Sequence, residues 1–329
     1  MKKNISVVIP NFNGKHLLQQ NLPSVLKALE YSGTRFEIIL VDDHSTDDSI
    51  AFTERNYPQI QIVSSKTNGG FSVACNKGIA VAQYELTLLL NTDIQLPENY
   101  LESQFEYFQY PDTFGVMGKI IGFKNKEVQD TARYISRSGF KIKANNFFYL
   151  EDTDFWCPTA YLSGANALVD TQKLKAIGGF DEIFSPFYYE DFDLGLRAWR
   201  VGWKCYYQPK AFCMHDHSAT TKTIRTRSWV KSIFYRNRLL FHAIHLDTLQ
   251  RTMWLTQIVL TDLLFRWISF RFYFYKSTGM FLSMQKEISQ SRNRLKLLMI
   301  NNKTETSVQD IKNRMDELLT GQAIIKGRA

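Results

Sequence analysis

Four short apolar runs, separated by helical stretches and ended by polar turns, govern what the first hundred residues can become. Residues 5–9, 36–41, 60–63 and 86–90 are nearly unbroken β-branched and aliphatic segments. Such runs suit strands buried on both faces. Between them, residues 17–29 and 71–82 carry apolar side chains at helical spacing, and Ser45 and Thr46 offer N-caps to a helix reaching about residue 55. The resulting βαβαβαβ order predicts an α/β fold with a parallel sheet and helices on both faces. Ligands of such sheets bind at the carboxyl ends of the strands. There the chain sets Asn11 and Asn13, Asp42 and Asp43, and Asn91 and Asp93.

Several function classes are excluded by what is missing. No GxGxxG follows the first strand, which disfavours a dehydrogenase-type dinucleotide site, and no GxxxxGK[ST] is present. Cys75, Cys157, Cys205 and Cys213 form no CxxC pair, so buried reduced thiols are expected rather than a zinc cage or a disulfide framework. The apolar run near the N-terminus is too short for a secretory core, and residues 254–270 are interrupted by Asp262 and Arg266. A cytoplasmic protein without a spanning helix is the expectation.

Further along, residues 112–170 mix short strands and loops, with Gly164 marking a turn or a close backbone approach. A short helix over 170–177 ends at Gly178-Gly179, and a helix from Glu190 to Arg200 stops at Gly202. Strands over 204–207 and 211–214 then deliver His215 to a strand end. Residues 228–245 and 248–284 read as long helices, and 286–319 as a polar helical tail.

Two groups of residues carry chemistry. In Phe187-Tyr188-Tyr189-Glu190-Asp191-Phe192-Asp193, aromatics crowd three acids at a helix start, an environment suited to a general base beside a pocket. Asp93 and His215 form the second group, because strand-end carboxylates with one imidazole can hold Mg²⁺ or Mn²⁺ against a diphosphate.

Taken in order, the segments over about residues 4–220 resemble the family 2 glycosyltransferases of the GT-A fold, a Rossmann-like nucleotide-diphospho-sugar transferase architecture. Ser6 to Asn13 looks like the family's opening strand, and Asp42-Asp43-His44-Ser45-Thr46-Asp47 like its DD-x-S-x-D segment. Asn68 to Ile79 is similar to NxGFxxAxNxGI, Asn91-Thr92-Asp93 stands at the DxD position, and Gly178 to Glu182 and Tyr189 to Leu194 complete the set. The wording looks most like bacterial rhamnosyltransferases and related surface-polysaccharide enzymes.

The resemblance implies roles by position. Pro10, Phe12 and Asp43 would face the nucleotide base, with Asn13, Asn68, Asn76 and Asn91 lining the donor pocket. Asp93 and His215 would bind the metal, with His217 as rival ligand; Asn91 replaces the family's first carboxylate. Asp191 would be the general base of an inverting transfer, with Glu190 and Asp193 orienting the helix start and Arg197 pairing with Asp193. The donor would be a UDP- or dTDP-linked sugar, and the acceptor a glycan or lipid-linked oligosaccharide. Sugar-nucleotide synthesis and a degenerate glycan-binding scaffold are the alternatives. The family's processive members carry QxxRW; here Arg266-Trp267 has Leu263 at the glutamine position, so a non-processive enzyme is expected.

On this reading residues 1–220 form the catalytic domain, with a nucleotide-binding half over 1–95 and an acceptor half over 96–220. Residues 221–329 form a basic, aromatic helical region. From Lys222 to Ile300 there are 14 Lys or Arg against the three acids Asp247, Asp262 and Glu287. Arg225, Arg227, Lys231, Arg236 and Arg238 interleave with Trp229, Phe234, Tyr235 and Phe241, and Trp254, Phe265, Trp267, Phe270, Phe272, Tyr273, Phe274 and Tyr275 follow. An amphipathic layer on an anionic membrane surface, at the inner face of the cell membrane, and ordinary packing against the catalytic domain both fit this pattern. Nucleic acid is not an expected partner, because no recognised module accompanies the charge.

Overall fold

The computed structural model describes residues 2–123, 126–143, 147–150, 154–215, 226–263 and 272–326. Strands β1 (Ile5–Asn11), β2 (Phe36–Asp42), β3 (Gln61–Ser64) and β4 (Leu86–Leu90) pair in parallel in the order β4-β1-β2-β3. Every residue of β4 is buried, as its uniformly apolar run requires of a strand covered on both faces.

The sheet continues through β5 (Thr113–Gly122), β6 (Asn166–Asp170) and β7 (Lys204–His215). Strand β6 runs antiparallel to both β4 and β5, and β7 runs parallel to β5. The sheet is therefore mixed, with one reversed strand in a mainly parallel order. Two reversals cancel, so β1, β2, β4 and β7 all end at the same edge. The two strands expected over 204–214 are one, with an irregularity between Gln208 and Phe212. Pro209 has no N–H to give a ladder, and the Gln208 side chain accepts the Lys210 amide across the gap at 2.9 Å.

Helices α1 (Lys15–Ser32), α2 (Ser49–Asn56) and α3 (Phe71–Val81) follow the first three strands. Helix α2 starts later than its expected caps, because Ser45 spends its hydroxyl on Asn11 and Asn13. Helix α4 (Thr171–Ala176) is capped by Asp170, whose carboxylate accepts the Lys173 amide at 3.0 Å. Helix α5 (Glu190–Arg200) leads into β7.

The C-terminal layer comprises α6 (Arg227–His245), α7 (Thr248–Gln257) with a π-helical extension Ile258–Leu263, α8 (Phe272–Ser283), α9 (Gln285–Asn301) and α10 (Val308–Leu318). The single helix expected over 248–284 thus changes pitch at Ile258. One apolar cluster runs from Val8, Ile39 and Val41 in the sheet to Phe241, Trp254, Ile311 and Met315 in this layer. The core is continuous across residue 220.

Most aromatics that matched a bilayer interface in sequence pack inward instead. Phe241 stacks on Phe192 with centroids 4.6 Å apart, Phe234 meets Tyr188 and Tyr189, and Trp229 meets Phe187. Trp254 is buried and stacks on His242 at 5.2 Å. That histidine is neutral core: its Nδ1–H meets the Arg238 carbonyl, its Nε2 accepts the Ile142 amide, and burial pushes its pKa down to about 3. Arg225, Phe265, Arg266, Trp267 and Phe270 lie outside the described residues. Among the described residues, no helix is long and apolar enough to cross a membrane. All four cysteines are buried and unpaired.

Candidate active site

The ends of β1 and β2 are tied into one rim. The Asn11 amide donates to Asp42 Oδ1 at 3.0 Å and to Ser45 Oγ at 3.2 Å, and the Asp42 Oδ2 accepts the Ser45 amide. Asn13 sits at φ 52° with its Oδ1 accepting the Thr46 amide at 2.7 Å, so it holds the loop after β2. Asp43 is buried and accepts the Gly69 amide on Oδ1 at 2.9 Å and the Gly70 amide on Oδ2 at 2.8 Å. Gly70 is needed there: its φ is 85°, and a Cβ would lie 2.8 Å from the Pro186 backbone. Pro10 and Phe12 are half-buried at the same edge, and Asn68 is exposed before α3.

Asn76 is used differently from the role its motif implied. Its Nδ2 donates to the Phe180 carbonyl at 2.9 Å and to Glu182 Oε1 at 3.0 Å, while its Oδ1 accepts the Phe180 amide at 2.8 Å. Both ends of the amide therefore fasten α3 to the turn after Gly178-Gly179.

Asp93 and His215 come together. The His215 Nε2 lies 3.2 Å from Asp93 Oδ2, and its Nδ1 lies 2.7 Å from Gln129 Oε1. Pairing of His215 with Ile94 sets this geometry. A neutral imidazole donates from one nitrogen only. With Nδ1–H given to Gln129, Nε2 turns a lone pair toward Asp93, whose buried Oδ1 has no hydrogen-bond partner among the described residues. A divalent cation between the two groups satisfies all of these atoms, and a ring oriented through its other nitrogen is the usual support for a ligating histidine. The residues fit a metal. Asn91 stands two residues before Asp93, its amide held by the Ala165 carbonyl at 3.2 Å; His217 lies outside the described residues.

The acids at the start of α5 divide into two electrostatic kinds. Glu190 is buried and Asp191 half-buried with its Oδ1 turned inward, and Glu190 Oε2 and Asp191 Oδ1 have no hydrogen-bond partner among the described residues. Burial raises both carboxyls well above the usual carboxylate range, and Asp191 pushes Glu190 further. The Gly164 amide, facing Asp191, opposes its rise, and nearby Asp130 adds to it. Gly164 cannot carry a side chain, since a Cβ there would lie 2.8 Å from Asp191 Oδ1 and 2.7 Å from Phe71.

Asp193 is the opposite. Burial works against its charge, yet Arg197 at 2.7 Å and His245 at 2.9 Å win and hold the carboxyl below its ordinary value. Arg197 also donates to the Ile177 and Gly179 carbonyls, both at 2.9 Å. Asp193 is thus a structural anchor and Asp191 the reactive candidate.

The turn before α5 is held from outside. Tyr188 and Tyr189 both adopt left-handed backbone, with φ 76° and 75°. Asn237 of α6, fully buried, donates to the Phe184, Phe187 and Tyr188 carbonyls, and Arg236 donates to the Ser185 carbonyl. Sequence reading did not single out Asn237 or His245, nor the Asp130–Arg133–Tyr161 cluster beside Asp191. Asn237 had one signal: asparagine is a poor helix-interior residue, and this one interrupts an apolar face.

The description "Glycosyl transferase family 2" matches residues 6–178, just over half of the chain. The beta-monoglucosyldiacylglycerol synthase of Synechocystis is 28% identical over 186 residues, covering 54% of this chain and 37% of that protein. The N-acetylglucosaminyl-diphospho-decaprenol L-rhamnosyltransferase of Mycobacterium tuberculosis is 25% identical over 210 residues, covering 56% of this chain and 67% of that one. This chain thus matches little more than a third of the first relative's length. Among solved structures, GalNAc-T7 with UDP, GalNAc and Mn²⁺ superposes with a TM-score of 0.60 at 13% identity, covering 96% of this chain and 56% of that one. At that identity the likeness concerns the GT-A-like fold. The chain belongs to glycosyl transferase family 2.

Proposed function

We infer that the protein is an inverting, non-processive transferase that moves a sugar from a UDP- or dTDP-linked donor to a hydroxyl of a growing, lipid-linked surface glycan. The observation that carries this reading is Asp191, a buried carboxylate oxygen without a partner among the described residues, set against Gly164 at the sheet edge that also carries Asp93 and His215. The rim of Pro10, Phe12 and Asp43 would receive the base and Asn91 the donor's phosphate side. A lipid-linked acceptor accords with two relatives, one a beta-monoglucosyldiacylglycerol synthase and one an N-acetylglucosaminyl-diphospho-decaprenol L-rhamnosyltransferase.

Asp191 would take the proton of the acceptor hydroxyl as that oxygen attacks the anomeric carbon, on the side opposite the leaving diphosphate. Such help is worth about 10²–10⁴-fold in rate. Burial of the carboxyl keeps its basicity high, so it binds the proton firmly once the bond forms. Glu190, one residue away, would exclude a second full charge from the pocket by staying protonated. Asp193 would contribute no proton, being committed to Arg197 and His245. Asp93 and His215 would hold Mn²⁺ or Mg²⁺, which supplies positive charge to the departing diphosphate.

The test is the product spectrum of the full chain with UDP- and dTDP-linked sugars, Mn²⁺ and a polyprenyl-diphosphate sugar acceptor. The expected products are nucleoside diphosphate and an extended acceptor whose new linkage is inverted by NMR. Pyrophosphate formation from sugar phosphate and nucleoside triphosphate would replace this reading with nucleotidyl transfer. Binding of donor without any turnover across the panel would replace it with a glycan-binding role.

A further inference from the structure

One helix of the C-terminal layer has a face that water does not explain. On α7 and its extension, Leu249, Met253, Leu255, Val259 and Leu260 are between 40% and 66% exposed. Threonines complete the stripe: Thr252 and Thr256 are the other exposed residues on that side. Their hydroxyls do not face outward for hydrogen bonding. Thr252 donates to the Thr248 carbonyl at 3.0 Å and Thr256 to the Thr252 carbonyl at 3.1 Å. At about 100° per residue these seven positions share one side of the helix, and Trp254 and Ile258, both buried, occupy the other.

The outward face from Leu249 to Leu260 therefore holds no charge, and its two hydroxyl protons are given to the helix's own carbonyls. The solvated face of an ordinary surface helix is charged. Threonine bonded back to its own helix is how a hydroxyl is accommodated in an apolar medium. Its large side chains are aliphatic rather than aromatic, since Phe241, Phe234 and Trp229 of α6 pack on Phe192 and on the turn before α5 and Trp254 packs inward on His242. The surroundings supply the second half of the argument. Lys231, Lys276, Lys286 and Lys296 of the same layer are exposed, in a stretch where bases outnumber acids by 14 to three. These lysines stand on α6, α8 and α9, so an apolar stripe belongs to a layer whose other helices carry a basic excess, and that combination complements a surface that is greasy inside and anionic at its rim.

We propose that this face of α7 docks the protein onto an anionic lipid bilayer, lying in the interface with Leu249, Met253, Val259 and Leu260 among the acyl chains. The attachment is peripheral. Its evidence is independent of the catalytic reading, though it gives a lipid-linked acceptor a reason to be within reach.

The experiment is flotation of the full chain with vesicles of phosphatidylcholine plus phosphatidylglycerol, and with phosphatidylcholine alone, at low and high salt. The wild type is expected to float with the anionic vesicles and to lose most of that association at high salt or without phosphatidylglycerol. Met253→Asp with Leu260→Asp should cut partitioning by about tenfold or more while leaving the melting temperature and donor hydrolysis unchanged. Equal flotation of wild type and variant, or no flotation of the wild type, overturns the proposal. So does light scattering that shows a wild-type dimer without vesicles and a monomer for the variant, since the face would then belong to a second copy. Donor hydrolysis measured in parallel reports on the catalytic reading alone.

Discussion

The rim proposed for the donor and the turn proposed to carry the base meet at one sheet edge, yet they are held by opposite means. The rim is self-sufficient: Asn11, Asn13, Asp42, Asp43 and Ser45 bond to each other and to backbone within the first seventy residues. The turn from Phe184 to Asp193 has little local support. Its two left-handed tyrosines and Asp193 are fixed by Asn76 through Phe180, and by Asn237, Arg236 and His245 from a helix some fifty residues later. Strand ends can organise a binding surface from neighbours alone. A turn with two left-handed tyrosines needs a clamp from elsewhere.

The comparison breaks most sharply at the two aspartates of α5. Asp191→Asn should lower kcat by about 10²–10⁴-fold with donor affinity unchanged by calorimetry; full activity would reassign the base. Asp193→Asn should act on folding, leaving Arg197 buried without its charge and destabilising by about 3–5 kcal/mol in denaturant unfolding. If Asp193→Asn were stable and inactive, the anchor and the base would have to be exchanged.

Smaller effects sharpen the same contrast. His215→Ala should weaken metal activation about 10–100-fold, read as a shift in the Mn²⁺ concentration giving half-maximal rate. Asn237→Ala removes a donor from three carbonyls and should lower kcat about tenfold. It should leave the donor KM unchanged, because the rim does not depend on α6; a matching rise in KM would mean that the two regions are not independent.

The smallest effect is a pH dependence. Burial raises the Asp191 carboxyl, so kcat should fall with acid well above the ordinary carboxylate range. Stability has the opposite sign. A raised carboxyl favours the fold below its unfolded pKa, and that contribution is lost as pH rises through the folded pKa. Asp191→Asn should therefore melt a few degrees above wild type at pH 8 and near it at pH 4, by calorimetric scans. A stabilisation that grows toward acid would contradict the burial argument.

Much of this was legible in the sequence because it rests on local pattern. The first four strands, the polar residues at their ends and the Asp93–His215 pair follow from periodicity and from the rule that parallel strands gather their carboxyl ends. The reversed strand β6 was not legible, since Asn166 to Asp170 is a buried apolar run in either direction. The late start of α2 was missed because Ser45 had two possible uses, as cap or as tie between loops, and tertiary contact chose the second. Asn76 shows the same limit: a motif gives its position but not which backbone its amide grips. The aromatic tail matched two environments equally in sequence. Packing on Phe192, Tyr188 and Tyr189 decided it for α6, while the exposed stripe belongs to α7, where aliphatics and threonines gave no basic-aromatic signal.

The grip of Asn237 also fixes an order of events during synthesis. A chain leaves the ribosome from its N-terminus, and units that can fold do so as they emerge. The rim has all its bonding partners once α3 is out. The turn carrying Asp191 has its own residues present long before α6 arrives to hold the Phe184, Phe187 and Tyr188 carbonyls. A nascent chain would thus have the bonding partners of the rim in hand before it has those of the turn, and alignment of Asp191 would be the last property it acquires.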